Sequence, residues 1–102
     1  MRLTAIEIET ATPATNQIAD LTIARLIASA TDGDAQACYE LGVIWSTGGH
    51  GVDCDLIEAH QWFNLAAARG HQEAAWCRSD ISDEMTAREI AEAQRRARQW
   101  LG

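Results

Sequence analysis

Residues 41–74 read LGVIWSTGGHGVDCDLIEAHQWFNLAAARGHQEA. Gly48, Gly49 and Gly51 crowd one short stretch, a density that penalises helix continuation and marks a loop running to Asp53. Before the loop, Ala37, Cys38, Leu41 and Trp45 recur at helical spacing, Gln36, Glu40, Val43 and Thr47 form the opposite stripe, and Asp34 stands where an N-cap belongs. A helix is predicted over 35–47. After the loop, Asp55 followed by Glu58 is an acidic variant of the capping box. It opens a helix with Ala59, Trp62, Phe63, Ala66 and Ala67 on its apolar face, and Gly70 ends it.

Working outward, Ile18, Leu21 and Ala28, broadened by Ile23, Leu26, Ile27 and Ala30, predict a helix over about 16–31 that stops at Asp32-Gly33. A shorter helix is expected over about 72–82 with Ala74, Ala75, Cys77 and Ile81. Thr86-x-x-Glu89 is a clear capping box for a last one, striped by Ile90, Ala93, Ala97, Trp100 and Leu101, with Glu92 and Arg96 as a solvent-side pair. Residues 1–15, rich in Thr and Ala and ending in Thr12-Pro13 and its neighbours, read as a flexible arm or one short extended segment. The chain of 102 residues holds 19 alanines and two valines, a balance that favours helix over strand. The expected fold class is all-α, with about five helices and no sheet.

Self-similarity sets the architecture. Gly33 matches Gly70, and at the same offset of 37 residues Ala30 pairs with Ala67, Ala37 with Ala74, Leu26 with Phe63 and Tyr39 with Trp76. The unit is a pair of helices with an apolar face that only a neighbouring unit can cover. The run Leu41-Gly42-x-x-Trp45-x-x-Gly48, then Gly51-Val52-x-x-Asp55-x-x-x-Ala59-x-x-Trp62-x-x-x-Ala66-Ala67-x-x-Gly70-x-x-x-Ala74, resembles a Sel-one-like repeat (SLR), a relative of the tetratricopeptide repeat. Trp45 stands where that family usually has Tyr, and the glycine loop is one residue longer than its usual form. The resemblance implies an α/α superhelix, a short right-handed solenoid of antiparallel helix hairpins. One domain would span 16–102: a full repeat at about 34–70, flanking half-repeats, and a capping helix at 86–101.

Charge and cysteine use narrow the function classes. A formal net charge of −7 repels phosphate backbones and anionic lipid, so neither nucleic acid nor membrane is an expected partner. No run approaches the roughly 18 apolar residues of a membrane span, and the N-terminus lacks a secretory pattern, which together predict a soluble cytoplasmic protein. Cys38, Cys54 and Cys77, odd in number and irregularly spaced, read as reduced thiols at core or boundary positions. His50, Cys54, His60, His71 and Cys77 are zinc-ligand types without the spacing of a zinc site, so no metal is expected. Ser46, Ser79 and Ser82 lack a setting that would display a nucleophile, and Asp53 and Asp55 would repel a phosphate from the glycine loop. No catalytic residue and no cofactor are expected.

The function that remains is protein binding: an adaptor or scaffold, which the SLR resemblance also implies. On a tetratricopeptide-like arrangement the concave face would carry Gln36, Glu40, Val43 and Thr47, with Glu73, Cys77, Asp80 and Glu84 at the aligned positions of the fourth helix. That acidic stripe suits a basic or amphipathic peptide. A self-associating homodimer is the alternative, because so few repeats make a short solenoid, and a hydrolase of the SLR type ranks last. Trp45 and Trp62 read as packing residues. Packing is also the preferred reading for Trp76 and Trp100, which lie toward the ends of the array, where an aromatic either seals the core or stays exposed as a binding anchor.

Overall fold

The structure, a computed structural model, describes residues 21–101; the expected arm over 1–15 lies outside them. Five helices and no strand are found among the described residues: α1 over residues 21–31, α2 Ala35–Thr47, α3 Leu56–Ala68, α4 Gln72–Ser82 and α5 Ala87–Leu101. The fold class is all-α, and the helix ends fall where cap chemistry places them.

The Asp34 carboxylate accepts from the N–H groups of Gln36 and Ala37 at 2.9 and 3.4 Å, and Asp55 does the same for Ile57 and Glu58, both at 3.1 Å. At α5 the box closes in both directions: the Glu89 N–H donates to the Thr86 hydroxyl at 3.1 Å and the Thr86 N–H to the Glu89 carboxylate at 2.8 Å. The expected box at Asp55 is only half made. Glu58 does not turn back to the cap; its carboxylate accepts from Trp62 Nε1 at 3.3 Å and from Arg96 on α5 at 3.2 Å.

The offset of 37 residues holds bond for bond where α1 passes into α2 and α3 into α4. Gly33 N–H donates to Ala30 O and Gly70 N–H to Ala67 O, each at 3.0 Å; Asp34 N–H donates to Ser29 O at 3.1 Å and His71 N–H to Ala66 O at 2.9 Å. Gly33 and Gly70 take left-handed φ values of +100° and +94°, which a side chain would strain, so each glycine ends its helix with the same turn. His71, at the place of Asp34, supplies the cap in its stead: its Nδ1 accepts from the Ala74 N–H at 3.1 Å.

Helix α3 is the centre, with α2, α4 and α5 packed on it. Its Phe63 and Leu65 are fully buried along with Leu41 and Cys38 of α2. At Gly42 the two helices approach so closely that a Cβ there would overlap the Phe63 ring, which accounts for a glycine inside a helix. Arg69 ties the units together, donating to Ala30 O at 2.8 Å and Cys38 Sγ at 3.3 Å.

The second helix pair is not closed like the first. Helices α4 and α5 both lean on α3 and barely touch each other. The repeat register gives the reason. Leu41, the buried residue of the α2–α3 seam, has Arg78 as its counterpart 37 residues on. When the caps Asp55 and Thr86 are superposed, Phe63 has Gln94 as its counterpart. A seam of Leu and Phe excludes water, whereas one of Arg and Gln does not.

Several readings of single residues change. Trp76 is 62% exposed and seals no core, whereas Trp100, 40% exposed, packs its ring 5.0 Å from that of buried Trp62 and turns its other side outward. Cys54 is exposed, with its thiol donating to Ser46 O at 3.3 Å, while Cys38 is buried and Cys77 half-buried. Arg96 is more than a solvent-side partner of Glu92: it holds that carboxylate at 2.8 Å and Glu58 of α3 at 3.2 Å, joining the two helices. Arg95 and Arg96 together hold the Glu92 carboxyl down at about 2.

Candidate functional site

The two stripes expected to form the binding face are brought together by His71 and Tyr39, which lie outside them, and by Gln36 of the α2 stripe. His71 Nδ1 is occupied as an acceptor by the α4 cap, so the ring proton sits on Nε2, which donates to Gln36 Oε1 at 3.0 Å. The same imidazole stacks on Tyr39 of α2, with ring centroids 4.4 Å apart and planes 13° from parallel. Tyr39 therefore bridges α2 to α4, and its hydroxyl is pushed up in pKa by partial burial and by the neighbouring Glu73 carboxylate and Cys77 thiol. Burial and Glu73 likewise raise Cys77.

Of the stripe residues, Gln36, Glu40, Glu73 and Asp80 are exposed, as required of a contact face. Val43 and Cys77 are half-buried against the core and offer only an edge. Thr47 is exposed, but its hydroxyl is spent on Val43 O at 2.8 Å. Glu84 corrects the sequence reading: α4 ends at Ser82, so Glu84 lies past the helix and off the stripe. Glu40 accepts a hydrogen bond from the Gln36 amide at 3.1 Å. None of Glu40, Glu73 and Asp80 is ion-paired among the described residues, where the ion pairs gather on α5 and its contact with α3. Beside the face, a hollow of about 320 Å³ opens between α1 and α2, lined by Leu26, Tyr39, Glu40, Val43 and Ile44 among others.

Three residues of this face, His71, Tyr39 and Trp76, lie outside the stripes expected from the sequence, where packing was the preferred reading for Trp76. His71 was legible as a cap, since it stands 37 residues after Asp34. Tyr39 and Trp76 are an offset pair, but the repeat alone does not tell which of them is covered. His71 of the next unit covers Tyr39; among the described residues nothing occupies the corresponding place over Trp76.

A second polar cluster looks at first like catalytic machinery. Buried His60 places Nε2 2.9 Å from the Ser82 hydroxyl and Nδ1 3.0 Å from the Asn64 amide nitrogen. Arg78 donates to Asn64 Oδ1 at 3.1 Å, which fixes the amide with its NH₂ toward His60. Nδ1 is then the acceptor and Nε2 carries the proton, so the imidazole has no lone pair for Ser82. The Ser82 proton goes instead to Arg78 O at 2.7 Å. The arrangement is a closed ring of donors and acceptors that joins α3 to α4; it cannot activate a nucleophile.

His50 and Cys54 lie in the glycine loop, and among the described residues no group of three His, Cys, Asp or Glu side chains is placed to hold a metal ion. Three of the loop's amides are spent internally: Gly48 and Gly49 N–H donate to Ile44 O at 2.9 and 3.1 Å, and Val52 N–H to Gly49 O at 3.2 Å. No helix among the described residues is long and apolar enough to cross a membrane. Comparison of the chain with protein-family models, curated proteins and solved structures gave no match.

Proposed function

We propose that this chain is a cytoplasmic protein-binding adaptor or scaffold of the SLR type, taking a basic or amphipathic segment of a partner protein on the α2–α4 face. The observation that carries this reading is the set of exposed carboxylates Glu40, Glu73 and Asp80, without ion pairs, arranged on two helices that the Tyr39–His71 stack holds side by side. Exposed Trp76 lies three residues from Glu73 and four from Asp80, hence on their side of α4, and supplies the apolar anchor such a segment needs. Carboxylates around an aromatic attract a cationic side chain by charge and by the ring face together.

The test is a titration of the chain with a basic amphipathic helical peptide, read by tryptophan fluorescence and calorimetry. Glu40→Arg with Asp80→Arg is expected to weaken binding at least about tenfold, and Trp76→Ala by a comparable amount, with the helical signal unchanged. Unaltered affinity in both variants sinks the proposal.

Self-association remains the second reading, favoured by exposed apolar side chains at the two ends of the array: Leu21 and Ile27 on α1, Trp100 and Leu101 on α5. A light-scattering mass of one chain at high micromolar concentration would remove it.

A further inference from the structure

Where α4 and α5 part, a cleft of about 470 Å³ opens over α3. Its walls are alanines from all three helices together with Leu101, and the charged residues lining it are Arg78 and Arg98, with no carboxylate among its lining residues. In a chain with 15 acidic against 8 basic residues this pairing runs against the overall balance. Neither arginine is neutralised from within. Arg98 makes no hydrogen bond or ion pair with the described residues, and Arg78 spends one N–H on Asn64, leaving the rest of its fork free of any carboxylate.

The cleft is also built. Arg78 occupies the position that Leu41 fills in the closed first unit, so the second unit carries a cation where the repeat calls for a sealing leucine. The guanidinium is aimed by a chain of bonds: Ser82 and Asn64 hold buried His60 at 2.9 and 3.0 Å, and Asn64 holds Arg78 at 3.1 Å. A preorganised guanidinium with a second one across a cleft walled by alanine suits an anionic head on an apolar body.

We propose that this cleft binds a small amphiphilic carboxylate, its head between Arg78 and Arg98 and its hydrocarbon part along the alanines and Leu101. A carboxylate matches the planar fork of arginine, and the apolar walls give an alkyl or aryl body the burial that a bare inorganic anion would forgo.

Octanoate is the probe. Titrated into the ¹⁵N-labelled full chain, it is expected to shift the amides of residues 64–68, 75–78 and 94–101 saturably, whereas octan-1-ol and inorganic phosphate bind at least about tenfold more weakly. Arg98→Gln, which breaks no bond within the described residues, is expected to weaken octanoate about tenfold. Ala75→Glu, which places a carboxylate among the lining residues, is expected to abolish binding; spectra that superpose away from the cleft show both variants folded. The proposal is overturned by octanoate shifts that do not saturate or lie elsewhere, by octan-1-ol or phosphate binding as tightly as octanoate, or by an Arg98→Gln chain with undiminished affinity.

Discussion

A methyl group at Gly42 would meet the ring of Phe63, which is itself fully buried and cannot swing aside. Gly42→Ala is therefore expected to cost about 1–3 kcal/mol in urea unfolding, despite the better helix propensity of alanine. A second residue ties stability to pH. Burial and the Arg78 charge lower the His60 pKa below its ordinary 6.5, so the unfolded chain binds this proton more readily than the folded one. The sign follows: the contribution is constant above about 6.5, and stability falls as pH drops from there toward the folded-state pKa. The urea midpoint of the parent chain should decrease between pH 7.5 and 5, and His60→Gln should lose that part of the decrease. Neither behaviour is legible in composition: a lone His in a helix and a Gly beside a Leu acquire their meaning from Phe63, Asn64, Arg78 and Ser82, which the fold brings to them.

Among the helices, local sequence set the ends and tertiary contact set the loyalties. Asp34, Asp55 and Thr86 each cap the helix that follows, because an N-cap needs only a short polar side chain and free N–H groups within reach. Thr86→Ala, which opens the one reciprocal box, is expected to lower stability by about 1 kcal/mol, read as a lower thermal midpoint. Glu58 departs from the same local logic, since Arg96, 38 residues away, offers it a charged partner that the cap N–H cannot match. The stripe on α4 is likewise only partly local. Glu73 and Asp80 are exposed as the period requires, while Glu84 stands past the helix because α4 ends two residues earlier than the unbroken offset from Thr47 assumes.

For the molecule as a whole, binding at the α2–α4 face should respond to salt, because its carboxylates are exposed and screened within about 8 Å at physiological ionic strength. Affinity for a basic peptide, measured by calorimetry from low to high salt, should fall steadily, whereas octanoate in the α4–α5 cleft, with much of its contact apolar, should be the less sensitive of the two. Taken by itself, the sequence was enough to establish that the chain is helical, where its caps and glycine turns stand, and that one unit recurs after 37 residues, because caps, glycine turns and apolar period are written within a turn or two of chain. Only the tertiary structure decided that Tyr39 is covered while Trp76 is not, that Glu58 of α3 pairs with Arg96 of α5, and that the second helix pair stands open. Those outcomes depend on what stands opposite each side chain in the neighbouring unit. Where the Phe63 ring lies on Gly42 beside buried Leu41 the seam closes, and where Arg78 and Gln94 line the facing walls it stands open.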